Sequence, residues 1–293
     1  MGFEHCHPAI NLLFFFGAIA GTVLCQHPVF LAISFVCACL YSVKRNGRKA
    51  IVFNTVLLPL VAVFAIYYSS YNHFGVTVLQ RNFIGNNMTL ESLVYGFVLG
   101  FVIAGVMIWL SCVYSVFTTD KVVYLFGKVS PRLSLVLAIL LRMVPRIKKQ
   151  ARKMNTAQQG IGRGVSQGNI LHRVCNCIRI FSMLITWTVD ALITVSGSMH
   201  SRGSLLRGRT AFSIYRFDDR DRAFVVALFT CLTVTAMAVM LKQTDAFYAP
   251  RIIFPPVTAL SCLFYGAYAV FCLMPLLLEL WTEYRFGQAR KKL

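Results

Sequence analysis

The chain has 293 residues, 57% of them hydrophobic and only 13% charged, with a net charge of +19. Soluble domains carry about a quarter charged residues, so this composition excludes an ordinary soluble globule and equally a charged disordered segment. The apolar residues gather in blocks long enough to cross a bilayer, which defines a polytopic membrane protein, all-α in fold class.

In chain order, spans are predicted at about Ile10–Cys25, Pro28–Val43, Ile51–Ser69, Leu90–Phe117, Ala223–Leu241 and Val257–Leu280. A helix rising about 1.5 Å per residue needs roughly 20 residues to cross the hydrocarbon, so the first two spans lie near the short limit. Gln26-His27-Pro28 forms a tight turn between them. The flank from Met1 to Pro8 has no Lys or Arg and a second span follows at once, so the first stretch reads as a retained helix, not a cleaved signal peptide.

Lys and Arg concentrate in cytoplasmic loops. Lys44, Arg45, Arg48 and Lys49 place the second loop inside, and the N-terminus with it. The loops Ser70–Thr89 and Lys242–Pro256 carry only Arg81, Lys242 and Arg251 and read as external. All the other Lys and Arg fall inside, including Arg285, Arg290, Lys291 and Lys292 of the C-terminal tail. The positive charge is thus a topology signal: nucleic acid is not an expected partner, whereas anionic membrane lipid and acidic protein surfaces are.

Ile178–Val195 is apolar enough to count as a seventh span. Crossing would carry Arg179 and Asp190 into the bilayer at about 2.5–3.5 kcal/mol each and would move Arg202, Arg207, Arg209, Arg216, Arg220 and Arg222 outside. The stretch is therefore expected to stay on the cytoplasmic side. Leu133–Val144 is too short to cross. The resulting organisation is an N-terminal membrane region (1–120), a cytoplasmic helical domain (121–222) inserted before the last two spans, and a C-terminal membrane region with a basic tail (223–293).

Within the middle domain, Thr118, Thr119 and Asp120 offer N-caps for a short helix, Pro131 suits the first turn of the next, and Pro145 is expected to kink it. From Arg146 to Gln159 the apolar positions are Ile147, Ala151, Met154 and Ala157, a single narrow stripe on a charged helix. A second helix, from about Ile170, is apolar nearly all round and should lie under membrane helices or in the interfacial zone. Both helices end in Arg-Gly: Gly162-Arg163-Gly164 and Ser201-Arg202-Gly203. A single such end is an ordinary C-cap, with Arg complementing the helix dipole and Gly taking the left-handed conformation. Two of them in one basic segment form a candidate docking pair. Arg presents a rigid fork that holds a carboxylate bidentately, and small flanking residues let a partner's backbone approach.

Leu140-Leu141-Arg142-Met143-Val144-Pro145, the basic helix ending Gln158-Gln159-Gly160-Ile161-Gly162-Arg163-Gly164, and the apolar helix ending Ser198-Met199-His200-Ser201-Arg202-Gly203 together resemble the transmembrane T component of energy-coupling factor (ECF) transporters, the EcfT/CbiQ family. The resemblance covers about Lys121–Arg222 closely and the rest by span layout. It implies a non-catalytic energy-coupling subunit of an ABC-type importer for a vitamin or metal, in a bacterial or archaeal cell membrane. It further implies two ABC-type ATPase subunits, docked through Arg163 and Arg202, and a small membrane S component that binds the substrate. The family carries Ala-Arg-Gly at both helix ends, where this chain has Gly162 and Ser201. Gly162 is expected to loosen the first helix end by roughly 0.5–1 kcal/mol relative to Ala.

No cofactor, metal or catalytic site is expected. The G-x-x-x-x-G-K-[ST] phosphate loop is absent: Gly127-Lys128-Val129-Ser130 imitates its end, but Val122 stands where its first Gly belongs. His5-Cys6-His7 is too crowded for a metal site, and Cys37-Ala38-Cys39 and Cys175-Asn176-Cys177 lack zinc spacing, so the ten Cys read as small apolar residues. Asp218-Asp219-Arg220-Asp221 has no second acidic motif to make a diphosphate site and is expected to balance Arg216, Arg220 and Arg222. Asn87-Met88-Thr89 fits a glycosylation sequon by pattern alone. The alternative function is a self-sufficient secondary transporter, disfavoured because the predicted spans hold little that is ionisable beyond Glu91 and Glu279 near their ends. A membrane enzyme ranks third.

Overall fold

Two His-Pro pairs start the first two helices. In the computed structural model, α1 (Pro8–Leu24) and α2 (Pro28–Asn46) each open with Pro, whose fixed φ is preorganised for a helix and whose missing N–H is an orphan there in any case. The preceding histidines cap them: Nδ1 of His7 accepts the Ala9 N–H and Nδ1 of His27 the Val29 N–H, both at 3.3 Å. The structure describes residues 3–72, 74–81, 87–203, 206, 215, 217, 219–249, 251–256 and 258–292. Among residues invoked above, Met1, Arg207, Arg209, Arg216, Asp218 and Val257 lie outside these.

After α2 come α3 (Arg48–Tyr71), a small antiparallel hairpin of β1 (Val78–Arg81) and β2 (Asn87–Thr89), and α4 (Leu90–Val116). Then follow α5 (Thr119–Val129), α6 (Pro131–Gly160), α7 (Ile170–Ser201), α8 (Asp219–Met240) and α9 (Ala259–Lys292). The chain divides into two compact units, Met1–Thr118 with Tyr215–Leu293, and Thr119–Ile214.

The first unit packs α1–α4, α8 and α9 around an aromatic core of Phe3, Phe14, Phe30, Tyr41, Trp109, Tyr268 and Phe271. Ser34 Oγ sits at its polar centre, accepting the indole N–H of Trp109 at 3.2 Å and sharing a hydrogen bond with Thr22 at 2.8 Å. Close approach of α3 and α4 depends on Gly96 and Gly100: a Cβ on Gly96 would lie 2.9 Å from the Ala65 carbonyl oxygen. Small residues spaced by four are how membrane helices bring backbones together. The outer faces are apolar. Helix α3 exposes Val52, Val56, Leu60 and Val63 while burying Asn54, Leu57, Val61 and Ala65, as a lipid-facing helix does.

Among the described residues, six helices are long and apolar enough to cross a membrane: α2, α3, α4, α7, α8 and α9. The number matches the expectation, but the membership differs. Helix α1 is shorter, at 17 residues, while α7, with 32, meets the length and composition that were set aside for Ile178–Val195 on charge cost. The stretch Ser70–Thr89, expected to be external, holds the hairpin. Thr89, in the sequon-like triplet, caps α4 and donates to the Phe74 carbonyl at 2.6 Å. The basic C-terminal residues continue α9. At the start of α8, Asp219 pairs with Arg222 at 3.4 Å on the surface.

Candidate docking site

The second unit is built on α5, α6 and α7. Ser130 precedes α6 and Pro131 opens it; the helix then runs on through Pro145 to Gly160. Met143 is buried and Ile147, Ala151 and Met154 are half-buried, so the apolar stripe does face a neighbour, although Ala157 at its end is exposed. The opposite surface is cationic. Lys148, Lys149, Arg152 and Lys153, with Pro145, Thr156 and Ala157, line an open groove of about 860 Å³.

At the end of α6 the backbone forms a Schellman turn. The Gly162 N–H bonds the Gln159 carbonyl at 3.1 Å and the Arg163 N–H the Gln158 carbonyl at 2.9 Å, with Gly162 at φ +77°. This overturns the expectation that Gly162 loosens the helix end. An alanine there would have to adopt the left-handed conformation, at about 1–2 kcal/mol, so glycine is the residue the turn requires. Gly164, by contrast, is a steric requirement: a Cβ on it would collide with the Gln159 side chain.

Amide side chains then fix the connection from α6 to α7. The Gln167 side chain accepts the Gly164 N–H at 3.0 Å and donates to the Gln159 carbonyl at 3.3 Å. Asn155 accepts the Val165 N–H at 3.2 Å, and Asn176 of α7 donates to the Gly164 carbonyl at 3.2 Å. Asn169 caps α7 through its side-chain oxygen, 2.8 Å from the Ile170 nitrogen. Sequence reasoning missed this frame; its only trace was the density of Asn and Gln between Asn155 and Asn176.

The end of α7 differs by two positions. Ser201 is its last residue and donates to the Ser198 carbonyl at 2.9 Å; Arg202 is the C-cap, and Gly203 takes the left-handed conformation at φ +75°. Arg202 therefore follows its helix directly, whereas Arg163 stands beyond the glycine that closes its own. Both arginines are exposed, and neither guanidinium makes a hydrogen bond or ion pair among the described residues. Asn176 ties the first triplet to α7 about 25 residues before Ser201, so the two arginines stand roughly 35–40 Å apart along that helix. The structure does not bring the triplets into one site. It holds them as two separate cationic points on one helical frame.

Elsewhere, no three metal-ligating side chains gather among the described residues, and all ten cysteines are free. Lys44 pairs with Glu283 at 2.7 Å and Arg45 with Glu4, which uses part of the basic α2 end internally.

No protein-family model matches the chain, and no curated protein matches it either. Its class comes from the helices themselves: six among the described residues, long and apolar enough to cross a bilayer, make this a multi-pass membrane protein.

Proposed function

We propose that the chain is the energy-coupling subunit of an ECF-type ABC importer, passing ATP-driven motion of two ATPase subunits to a substrate-binding S component for vitamin or metal uptake. The observation that carries this reading is the pair of exposed arginines, each at a helix end and without a partner among the described residues; the rise along α7 puts roughly 35–40 Å between them. That spacing exceeds what one carboxylate pocket can use and suits two docking points, one for each of two partner subunits. The amide-braced turn behind Arg163 and the helix directly behind Arg202 lower the ordering cost of inserting each side chain into a groove.

Helix α7 lies on the cytoplasmic side in this reading, with both termini inside, because Arg179 and Asp190 on its surface make crossing costly. The test is docking. Arg163→Ala and Arg202→Ala are each expected to weaken ATPase association by about 2–5 kcal/mol, by leaving a partner carboxylate unpaired, and the double variant to abolish ATP-driven uptake while the protein still inserts. Lys replacements recover only part of the loss, since a point charge lacks the bidentate fork. Arg207→Ala, equal in charge and just beyond the second triplet, is the control; equal damage from it would replace two anchors with diffuse basic attraction.

One observation favours secondary transport. Glu279 of α9 is 8% exposed, and its carboxylate makes no hydrogen bond or ion pair among the described residues. Buried ionisable groups of this kind carry protons or ions in transporters. Uptake by the purified chain alone, lost in Glu279→Gln, would establish that reading over the first.

A further inference from the structure

At the end of the first unit away from Lys44 and Arg45, the turn between α1 and α2, the Phe74 region, the first turns of α4 and the segment after α8 line an open pocket of about 460 Å³. Its walls are largely aromatic: Phe74, Tyr95, Phe247 and Tyr248, with Leu24 closing one side. The Tyr95 and Tyr248 rings are tilted by 46° with their centres 5.4 Å apart, and Phe74 stands edge-on to Tyr95 at 5.7 Å.

These walls are held from behind. Tyr248 is 4% exposed, donates its hydroxyl to the Gln26 carbonyl at 3.0 Å, and packs on Leu31 and Val98. The segment that carries it is pinned at several points. The His27 N–H bonds the Thr244 carbonyl at 3.1 Å, and Phe247 and Ile253 exchange backbone hydrogen bonds at 3.2 and 2.8 Å. Lys242, which starts the segment, sits in the left-handed region at φ +54°, a conformation that a residue with a Cβ adopts at a cost.

Among the described residues, one charged side chain lines this pocket, the carboxylate of Asp245. It is half-buried and makes no hydrogen bond or ion pair among the described residues. A single carboxylate does not suit a hard divalent ion, which needs six or more oxygen ligands, and it repels an anion. A carboxylate beside several aromatic faces suits an organic cation. The charge is balanced by the carboxylate, the ring quadrupoles attract an ammonium, and apolar substituents fill the rest of a volume in the range of small-molecule sites.

We propose that this pocket is a binding site for a small organic cation of the alkylammonium class, with Asp245 as its counter-ion and Phe74, Tyr95 and Tyr248 as its aromatic walls. The proposal is independent of the coupling function, which rests on residues of the other unit.

The test uses the full chain purified in detergent, with choline as probe and its neutral isostere 3,3-dimethylbutan-1-ol as comparison, followed by equilibrium dialysis of labelled choline. Saturable choline binding that the isostere fails to displace is expected. Asp245→Asn should weaken it roughly tenfold or more, Tyr95→Leu by roughly three- to thirtyfold, and Tyr95→Phe hardly at all, since the ring face and not the hydroxyl carries the attraction. Displacement by the isostere as effective as by choline itself would show a merely apolar pocket and overturn the proposal. So would unchanged affinity in Asp245→Asn, or the absence of saturable choline binding in the wild-type chain. The choline and isostere comparison needs no substitution, so it decides the matter even where a variant misfolds.

Discussion

Gly162 and Lys242 occupy the same left-handed conformation at the closing turn of a helix, one with a Cβ and one without. The Lys242 N–H bonds the Val239 carbonyl at 3.0 Å and the Gln243 N–H the Ala238 carbonyl at 3.1 Å, the same two-bond closure that Gly162 and Arg163 make on α6. Opposite outcomes follow. Gly162→Ala is expected to cost about 1 kcal/mol and to speed amide exchange at Arg163, whose N–H the turn protects, while Gly160→Ala, inside the helix with open space around it, gains roughly 0.5–1 kcal/mol. Lys242→Gly removes about 1–2 kcal/mol of strain and returns part of it as unfolded-state entropy, so a net gain of roughly 0.5–1 kcal/mol should appear as a higher thermal midpoint in detergent. Exchange at Arg163 unaffected by Gly162→Ala would mean that the turn is held by the Gln167 and Asn155 amides alone.

At the scale of elements, the His27 cap makes the α1–α2 hairpin sensitive to pH. Its Nδ1 must stay unprotonated to accept the Val29 N–H, and burial holds the imidazole below its ordinary value of about 6.5. Between the folded and unfolded values the unfolded chain binds more protons, so stability rises with pH there; the contribution is fully present above about 6.5 and is lost as pH falls through the lower folded value. Thermal midpoints measured from pH 8 to pH 5 should therefore fall more steeply for the wild-type chain than for His27→Asn, which caps without titrating. Parallel slopes would remove His27 from the account. The long helices were legible in the sequence because an apolar block of spanning length leaves few alternatives, and the Pro-started ends were legible because Pro at a first turn has one clear use. The hairpin was not, because two strands of four and three residues carry too short a pattern to read. In the docking segment the two Arg-Gly ends could be found, but Gly160, Gly162 and Gly164 all stood near the first, and only the backbone decides which turns left-handed. The amide frame from Asn155 to Asn176 depends on contacts across a loop that no local pattern encodes.

For the whole molecule, the undecided cost is the surface of α7. Ile178, Phe181, Ile185, Val189 and Ile193 are all exposed, although the helix is apolar enough to span, so this surface must be covered by lipid or by a partner. Crossing covers it completely but draws Arg179 and Asp190 toward the hydrocarbon, at about 2.5–3.5 kcal/mol each near the centre, and separates Arg163 and Arg202 onto opposite faces of the membrane. Lying along the inner face leaves both charges in water and both arginines on one side, which is the arrangement that docking two ATPase subunits demands. The two cases differ in a way independent of the orientation of the first unit, because Gln167 precedes α7 and Leu206 follows it, and both are exposed. Single cysteines at these positions, in a chain freed of its native thiols, are expected to be equally shielded from an impermeant thiol reagent in intact cells and equally reactive in inside-out vesicles. If one is labelled in intact cells and the other only in inverted vesicles, α7 crosses, Arg163 and Arg202 cannot serve partners in the same compartment, and the coupling reading fails while the organic-cation pocket of the first unit stands untouched.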